Sequence, residues 1–317
     1  MNMIDVHHHF LPPAYAHAWQ ESGQIPSGLA LPSWSVDEDL SFLDRQGIRT
    51  AILSLSAPGV SIAGSPERAK NLARDCNNYA AEIHRTHPDR FGFFATLPLE
   101  NMNDCFEELL YALDELGADG VTLFTSYAGL YLGHEYFKPL WEELNRRAAV
   151  VFIHPVSVIN PGPPHNLAVP PPIIDFPHET TRAAVHLITS NTIRDNPNCK
   201  IILSHGGGTL PYVATRIANA TADVGLISKT AEEFLTEAKS FYFDLALTSY
   251  EDPIRLLSNF ATHGHILWGN DFPFAREKTV QGQLDVLNNV TLEPNFRQSI
   301  IDSAALKLFP RLLNSLR

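Results

Sequence analysis

Short apolar, β-branched segments alternate along this chain with longer amphipathic stretches. Segments such as Val150-Val-Phe-Ile are continuously hydrophobic, as strands of a parallel sheet covered on both faces are. Eight strands are predicted in this way: Met3–Val6, Thr50–Ser56, Phe91–Leu97, Gly120–Phe124, Val150–His154, Lys200–Ser204, Phe241–Leu245 and His265–Trp268.

The intervening stretches have helical periodicity, and parallel strands need crossovers of about a dozen residues or more. The predicted helices are Ser65–His84, Asn103–Leu116, Tyr136–Arg146, His178–Ile193, Pro211–Ala220 and Pro253–Phe260. The alternation predicts an α/β fold, a (β/α)8 TIM barrel. An open doubly wound sheet has a similar pattern but usually carries a Gly-rich phosphate loop after its first strand. Here that strand runs into three histidines, and Gly206-Gly-Gly-Thr-Leu-Pro matches no nucleotide motif.

Two insertions interrupt the alternation. Pro155–Pro177 contains eight of the 23 prolines and directly follows the fifth strand, so we expect a stiff, extended loop over the carboxyl end of the barrel. Such a loop could select the substrate or pack between two subunits, and the sequence does not separate these roles. Leu11–Trp34 is predicted to be a second long connection. Without an internal repeat or linker, residues 1–317 are interpreted as a single domain.

Composition narrows the functional classes. The net charge of −12 argues against a nucleic-acid partner, which requires a basic surface. No apolar run is long enough to span a membrane, and the N-terminus lacks the features of a signal peptide. The three cysteines, Cys76, Cys105 and Cys199, have no metal-binding or disulfide spacing. We therefore expect a cytoplasmic protein with reduced thiols.

The strongest chemical signal is Asp5-Val-His-His-His-Phe10 in the first strand. Because strand side chains alternate between faces, Asp5, His7 and His9 are expected on one face and His8 on the other. Two imidazoles on the inner face at the end of a barrel strand lie within reach of one cation. We expect His8 to face the helix layer and Asp5 to support a ligand histidine or the strand-end backbone.

Three further polar residues lie at the ends of later strands. His154 ends the fifth strand, His205 ends the sixth, and Asp271 follows the eighth. A lone histidine at such a position is more often a buried structural residue than a ligand, so each of these signals is weak alone. Because the carboxyl ends of barrel strands converge on one mouth, the set together predicts a metal site.

These motifs resemble the amidohydrolase superfamily, and within it the decarboxylase branch related to aminocarboxymuconate-semialdehyde decarboxylase. The resemblance covers essentially the whole chain and includes Phe152-Ile-His-Pro, Ser204-His-Gly-Gly-Gly-Thr-Leu-Pro-Tyr and Trp268-Gly-Asn-Asp-Phe-Pro-Phe. It implies that His7, His9, His154 and Asp271 bind one metal ion, whereas His205 is a catalytic histidine outside the coordination sphere.

The resemblance also bears on the number and kind of metal ions. Superfamily members with two metals bridge them with a lysine or glutamate at the end of strand four, and Gly120–Ser126 contains neither. A single divalent ion is therefore expected, with no organic cofactor. Three imidazoles and a carboxylate suit zinc, and mixed nitrogen and oxygen sites also accept manganese.

Two reactions fit such a site. Hydrolysis of a lactone or amide would use Asp271 to accept a proton from bound water. Nonoxidative decarboxylation of an ortho-hydroxy aromatic acid would need an acid that protonates the ring carbon before CO2 leaves. We favour decarboxylation, with Asp271 as the proton donor and His205 orienting the substrate or sharing the proton. A barrel that binds without catalysis is the remaining alternative.

The substrate is inferred mainly from resemblance. Muconate-semialdehyde enzymes use an early arginine for a second carboxylate, and Trp34–Asp44 contains none. The chain is more similar to the 6-methylsalicylate decarboxylases of fungal polyketide pathways, in secondary metabolism. This implies 6-methylsalicylate as the substrate and 3-methylphenol (m-cresol) with CO2 as the products. The residues expected near the aromatic acid are Phe10, Phe272, Phe274 and Arg216.

Several residues have alternative structural roles. Relatives suggest a homodimer, in which Arg216 contributes to the neighbouring subunit's site, although a solvated helix residue fits Arg216 equally well. Arg182 and Glu179 are interpreted as a structural pair on one helical turn. Trp141 and Trp268 are interpreted as packing residues.

Overall fold

Eight parallel strands follow one another in chain order in a computed structural model, which describes residues 2–24, 28, 30–157 and 169–316. The strands are Met3–Phe10 (β1), Ile48–Leu55 (β2), Phe91–Thr96 (β3), Gly120–Phe124 (β4), Val150–His154 (β5), Lys200–Leu203 (β6), Tyr242–Asp244 (β7) and Ile266–Leu267 (β8). Backbone hydrogen bonds from Val6 N to Trp268 O, at 3.0 Å, and from His9 N to Phe272 O, at 2.7 Å, close the barrel. The predicted (β/α)8 barrel is confirmed.

Helices surround the strands. They are Pro13–Ser22 (α1), Val36–Gln46 (α2), Pro66–Thr86 (α3), Met102–Leu110 (α4), Lys138–Arg146 (α5), Pro171–Thr189 (α6), Thr192–Asp195 (α7), Leu210–Asp223 (α8), Ala231–Ser240 (α9), Glu251–Phe260 (α10), Glu277–Asn289 (α11), Pro294–Gln298 (α12) and Ala304–Leu308 (α13). A short antiparallel ribbon pairs Ser126–Tyr127 with Leu130–Tyr131. None of the helices in these described ranges has the length and apolar character needed to cross a bilayer.

Both predicted insertions are partly helical. Residues 158–168 of the proline-rich segment lie outside the described residues, but α6 begins at Pro171, so the extended loop predicted as far as Pro177 is wrong there. Proline is tolerated in the first turn of a helix because its missing N–H would be unpaired in any case. The predicted connection Leu11–Trp34 likewise contains α1, with Pro13 in its first turn. That residues 1–317 form a single domain stays a prediction.

A bulge in β1 changes the direction of its side chains. The pairing register between β1 and β2 shifts between Asp5 and His8, which places one extra residue in β1. Val6 packs in the interior cluster with Ile52 and Phe152. The expected alternation is therefore wrong for Asp5, whose carboxylate faces the helix layer with His8 instead of sharing the face of His7.

A buried hydrogen-bonded chain holds this bulge from outside the barrel. His8 Nδ1 lies 2.9 Å from Asp5 Oδ2, and His8 Nε2 lies 2.8 Å from Asp39 Oδ1 in α2. Trp34 Nε1 donates to the other oxygen of Asp39, and Asp5 Oδ1 accepts from His7 N. Burial opposes a charge on His8, but Asp39 and Asp5 raise its pKa to about 10. The imidazolium thus pairs with two buried carboxylates and ties α2 to β1.

Replacing Asp39 with alanine should lower the free energy of unfolding by about 3–5 kcal/mol, because it leaves a buried cation with one partner fewer. Chemical denaturation followed by circular dichroism measures this. Asp37→Ala, at an exposed position on α2, is the matched control and should lower it by less than about 1 kcal/mol. Equal losses in the two variants would show that the buried chain does not hold α2 to β1.

Candidate metal centre

Four side chains converge at the carboxyl end of the barrel. His7 and His9 lie in β1, His154 ends β5, and Asp271 follows β8; one ligand atom from each lies within 4.8 Å of the others. His7 Nε2 lies 3.1 Å from His9 Nε2 and 3.3 Å from Asp271 Oδ1, which is 3.1 Å from His9 Nε2. All four residues are buried. The structure therefore brings together the four residues predicted to bind the metal.

Each histidine is held through its other ring nitrogen. His7 Nδ1 donates to Asp244 Oδ2 at 2.9 Å, His9 Nδ1 to Ser54 O at 3.1 Å, and His154 Nδ1 to Pro155 O at 2.8 Å. These acceptors keep a proton on each Nδ1, so each Nε2 faces the centre and can offer its lone pair to a metal ion there.

This arrangement fits a bound cation. Two Nε2 lone pairs lie 3.1 Å apart beside a carboxylate oxygen, an arrangement that is repulsive unless a positive charge lies between them. Burial alone would lower the pKa of His7, but Asp244 and Asp271 outweigh it and raise that pKa to about 10. In the free protein a proton on His7 can supply this positive charge, and a divalent ion can replace that proton.

The other ligands are in the protonation states that metal binding requires. Burial lowers the pKa of His9, and it lowers the pKa of His154 well below the usual range, so both imidazoles are neutral. Burial also opposes ionisation of Asp271. The neighbouring imidazoles of His205, His7 and His9 nevertheless hold the pKa of Asp271 well below its usual range. The free site thus contains an ionised carboxylate among neutral ligands, with His7 as its cation.

Asp244 is the important residue that the sequence analysis missed. It ends β7, so the reasoning that singled out His154 and His205 at strand ends applied to it as well. Besides supporting His7, its Oδ1 accepts the backbone N–H groups of His205, at 3.0 Å, and Ala246, at 2.9 Å. One carboxylate thus orients a ligand histidine and the start of the turn that carries His205.

His205 lies beside the four ligands. Its Nε2 is 3.8 Å from Asp271 Oδ2, and its buried Nδ1 has no hydrogen-bond partner among the described residues. Both His205 and Asp271 have positive φ, at 55° and 64°, a backbone region that is costly for residues other than glycine. Gly208 makes the turn after His205 possible, because a Cβ there would lie 1.9 Å from Pro177 O. The tight turns hold His205 and Asp271 facing each other.

A cavity of about 340 Å³ opens above this group. His9, His154, His205 and Asp271 contribute polar groups, whereas the walls are mainly apolar: Pro172, Ile173, Phe176, Leu247 and Phe274. Phe274 lies in the cavity as expected, edge-on to His9 with ring centroids 5.6 Å apart. A planar apolar ring with one polar edge fits this lining.

The structure places two other expected substrate contacts elsewhere. Phe10 is buried outside the barrel against Trp34, and Phe272 stacks on Phe42 with ring centroids 3.9 Å apart. Each directly follows an inward-facing residue, His9 or Asp271, so its own side chain points to the helix layer. Arg216 is exposed on α8 and does not line the cavity. Its contribution to a neighbouring subunit's site stays a prediction.

The remaining interpretations concern residues away from the cavity. Arg182 pairs with Glu179, which also accepts a hydrogen bond from Tyr131 Oη at 2.9 Å. Trp141 and Trp268 are fully buried. Within the described ranges, the potential metal-binding group includes no residue of β4. That the site binds a single ion stays a prediction.

Comparisons with known proteins show which family the chain resembles. The family model described as amidohydrolase matches residues 4–311. Decarboxylase yanB of Aspergillus niger is 50% identical over 98% of this chain and 88% of its own length. The 6-methylsalicylic acid decarboxylase of Penicillium expansum is 43% identical over 98% of this chain and 97% of its own.

A solved structure shows the same similarity. Dihydroxybenzoic acid decarboxylase from Polaromonas, with bound manganese and the inhibitor 2-nitroresorcinol, has a TM-score of 0.82 and 25% identity, covering 98% of this chain and 97% of its own. With a family model matched over nearly its whole length and relatives this similar, the chain belongs to the amidohydrolase family.

Proposed function

We propose that the chain is a metal-dependent carboxy-lyase that decarboxylates an ortho-hydroxy aromatic acid without an oxidant. The observation that carries this is the position of the three-histidine, one-carboxylate group at the polar end of a mainly apolar cavity, with His205 beside it. The relatives support the class of reaction: one is named 6-methylsalicylic acid decarboxylase, and another is a dihydroxybenzoic acid decarboxylase. The best candidate reaction converts 6-methylsalicylate to 3-methylphenol and CO2.

One divalent ion is proposed for the site formed by His7, His9, His154 and Asp271. When bound, it would hold the carboxylate and the adjacent phenolic oxygen of the acid. Zinc suits three imidazoles and a carboxylate, whereas the Polaromonas relative contains manganese, so both are candidates.

Asp271 and His205 are proposed to manage the proton. Direct loss of CO2 from an arene leaves an unstabilised carbanion, so the ring carbon that carries the carboxylate must be protonated first. The carbon–carbon bond then breaks, its electron pair restores the aromatic ring, and CO2 leaves. We favour Asp271 as the donor. A carboxylate bound to a cation is a poor acid, so Asp271 would have to loosen from the metal ion when it takes up a proton. His205, 3.8 Å away, can share that proton.

The apolar walls favour a ring with an apolar substituent over a muconate semialdehyde with two carboxylates. Trp34–Asp44 contains no arginine for a second carboxylate, and none of its residues lines the cavity. A lactone or amide hydrolase on the same site is the alternative. The homodimer and a place in polyketide metabolism stay predictions.

Incubation with a panel of hydroxybenzoates in heavy water tests the reaction. Metal-replete protein should convert 6-methylsalicylate to 3-methylphenol that carries one solvent deuterium on the ring, detected by mass spectrometry. Benzoates without an ortho hydroxyl should not react, because they cannot stabilise the protonated ring. A hydrolase would instead place ¹⁸O from labelled water in its product. Failure to turn over any ortho-hydroxybenzoate would overturn the proposal.

The roles of His205 and Asp271 are separable by substitution. His205→Asn should lower kcat by about 10²–10⁴-fold while one metal ion stays bound, because His205 lies outside the ligand group. Asp271→Asn should lower both turnover and bound metal. His17→Asn, at an exposed position on α1, is the matched control and should match the unmodified protein. Equal metal loss in the His205 and Asp271 variants would show that ligand and catalyst have been assigned wrongly.

A further inference from the structure

Asp244 and His7 contact each other across a strand that lies between them. Asp244 ends β7, His7 lies in β1, and β8 separates these two strands in the barrel. Neighbouring strands lie about 5 Å apart, so β7 and β1 are roughly twice that distance apart. His7 Nδ1 nevertheless lies 2.9 Å from Asp244 Oδ2. The two side chains must therefore meet over the inner face of the chain segment that contains β8.

Gly269, two residues after β8, lies beneath this contact. The segment still runs beside β1 there, because Val6 N donates to Trp268 O at 3.0 Å. Leu267 packs in the interior cluster, whereas Trp268 packs in the cluster between the strands and the helices. Because side chains alternate along an extended chain, a side chain at position 269 would point into the barrel interior.

The space beside Gly269 is too small for any side chain. A Cβ at this position would lie 2.7 Å from His7 Cβ and 3.1 Å from Asp244 Cβ. Carbon atoms in van der Waals contact are about 3.5–4.0 Å apart, so even one methyl group would push at least one neighbour away. Gly269 does not have a positive φ, so other residues could adopt its backbone conformation. Space alone therefore requires glycine here.

We propose that Gly269 is a positioning residue for the metal site: its missing side chain lets Asp244 hold His7 across β8, and this contact sets the affinity for the ion. The inference rests on the metal site of the proposed function. A carboxylate at Nδ1 orients a ligand imidazole and makes its Nε2 a stronger donor. Gly269 itself belongs to neither the ligand group nor the cavity lining, so it acts through these two side chains.

Titration of zinc into the metal-free protein, in competition with a chromophoric chelator, tests this inference. Gly269→Ala should bind zinc about 10- to 100-fold more weakly than the unmodified protein, the loss typical when the partner of a ligand histidine is disturbed. Asp244→Gly should cause a similar loss, because it removes the carboxylate itself. An unchanged zinc affinity in Gly269→Ala would contradict the proposed role of Gly269.

The double variant Asp244→Gly/Gly269→Ala shows whether the two residues act through one contact. Asp244→Gly removes the contact and makes room beside position 269, so the added methyl group has little left to disrupt. The double variant should therefore bind zinc within about threefold of the weaker single variant. Losses that multiply would mean independent effects and would overturn the inference.

The same room should let the double variant fold if crowding prevents Gly269→Ala from folding. Denaturation of the zinc-loaded proteins, followed by circular dichroism, measures this. A double variant that does not fold, beside an Asp244→Gly variant that does, would show that glycine is needed for packing of the barrel and would also overturn the inference.

Two other glycines are matched controls for the added methyl group. Gly282 lies on α11 with no atom within 4 Å of a Cβ, so Gly282→Ala should leave zinc affinity unchanged. Gly120 begins β4, where a Cβ would collide with Val150 O, so Gly120→Ala should lower the free energy of unfolding without weakening zinc binding. Equal losses of zinc affinity in Gly120→Ala and Gly269→Ala would sink the inference, because general loosening of the barrel would explain both.

Nuclear magnetic resonance of zinc-loaded protein with ¹⁵N-labelled histidine gives a readout of the contact itself. The proton on His7 Nδ1 should appear at low field in the unmodified protein and be absent in Asp244→Gly, which assigns it. In Gly269→Ala this signal should move to higher field or disappear, and an unchanged signal would count against the inference. Zinc affinity and this signal need no turnover. If no hydroxybenzoate is decarboxylated, the proposed reaction fails, whereas these measurements still decide the role of Gly269.

Discussion

The bulge in β1 is the constraint on which the site depends. Ile4 and Val6 both pack inside the barrel, so strict alternation would send His8 inward and turn His7 and His9 toward the helices. The extra residue between Asp5 and His8 reverses this order and brings His7 and His9 inside. The bulge is held on both sides. Asp39 and Asp5 clamp His8 in the helix layer, while Asp244 holds His7 in the interior.

Charge complementarity explains why the centre is stable when buried. The carboxylates of Asp244 and Asp271 lie on opposite sides of the His7 ring, one at Nδ1 and one at Nε2. In the free protein a proton on His7 balances them. A divalent ion would supply more positive charge at the same place, and His154 is neutral and free to bind it.

The features that could be predicted from the sequence are those that follow from the regular alternation of strands and helices in a barrel. Strand ends of a barrel meet at one mouth, so His154, His205 and Asp271 could be grouped without coordinates. The direction of side chains within one strand could not be predicted, because a single extra residue reverses it, as Asp5 shows. Most of the residues that form the cavity walls could not be predicted from the sequence either. Phe274 was anticipated, but Phe272, two residues earlier, faces the helices, and Leu247 and Phe176 reach the cavity from loops and helices distant in sequence. The helices α1 and α2 were missed because prolines and acidic residues, which lie at their starts, are as typical of connecting loops as of helices.

The stoichiometry of metal-dependent activity tests the central claim most directly. Protein freed of metal by a chelator is titrated with zinc or with manganese, and turnover of an ortho-hydroxybenzoate is measured at each addition. The arrangement of His7, His9, His154 and Asp271 predicts negligible activity without metal and a linear recovery that ends at one ion per chain. Full activity in the metal-free protein, or recovery that continues to two ions per chain, would contradict a single metal centre.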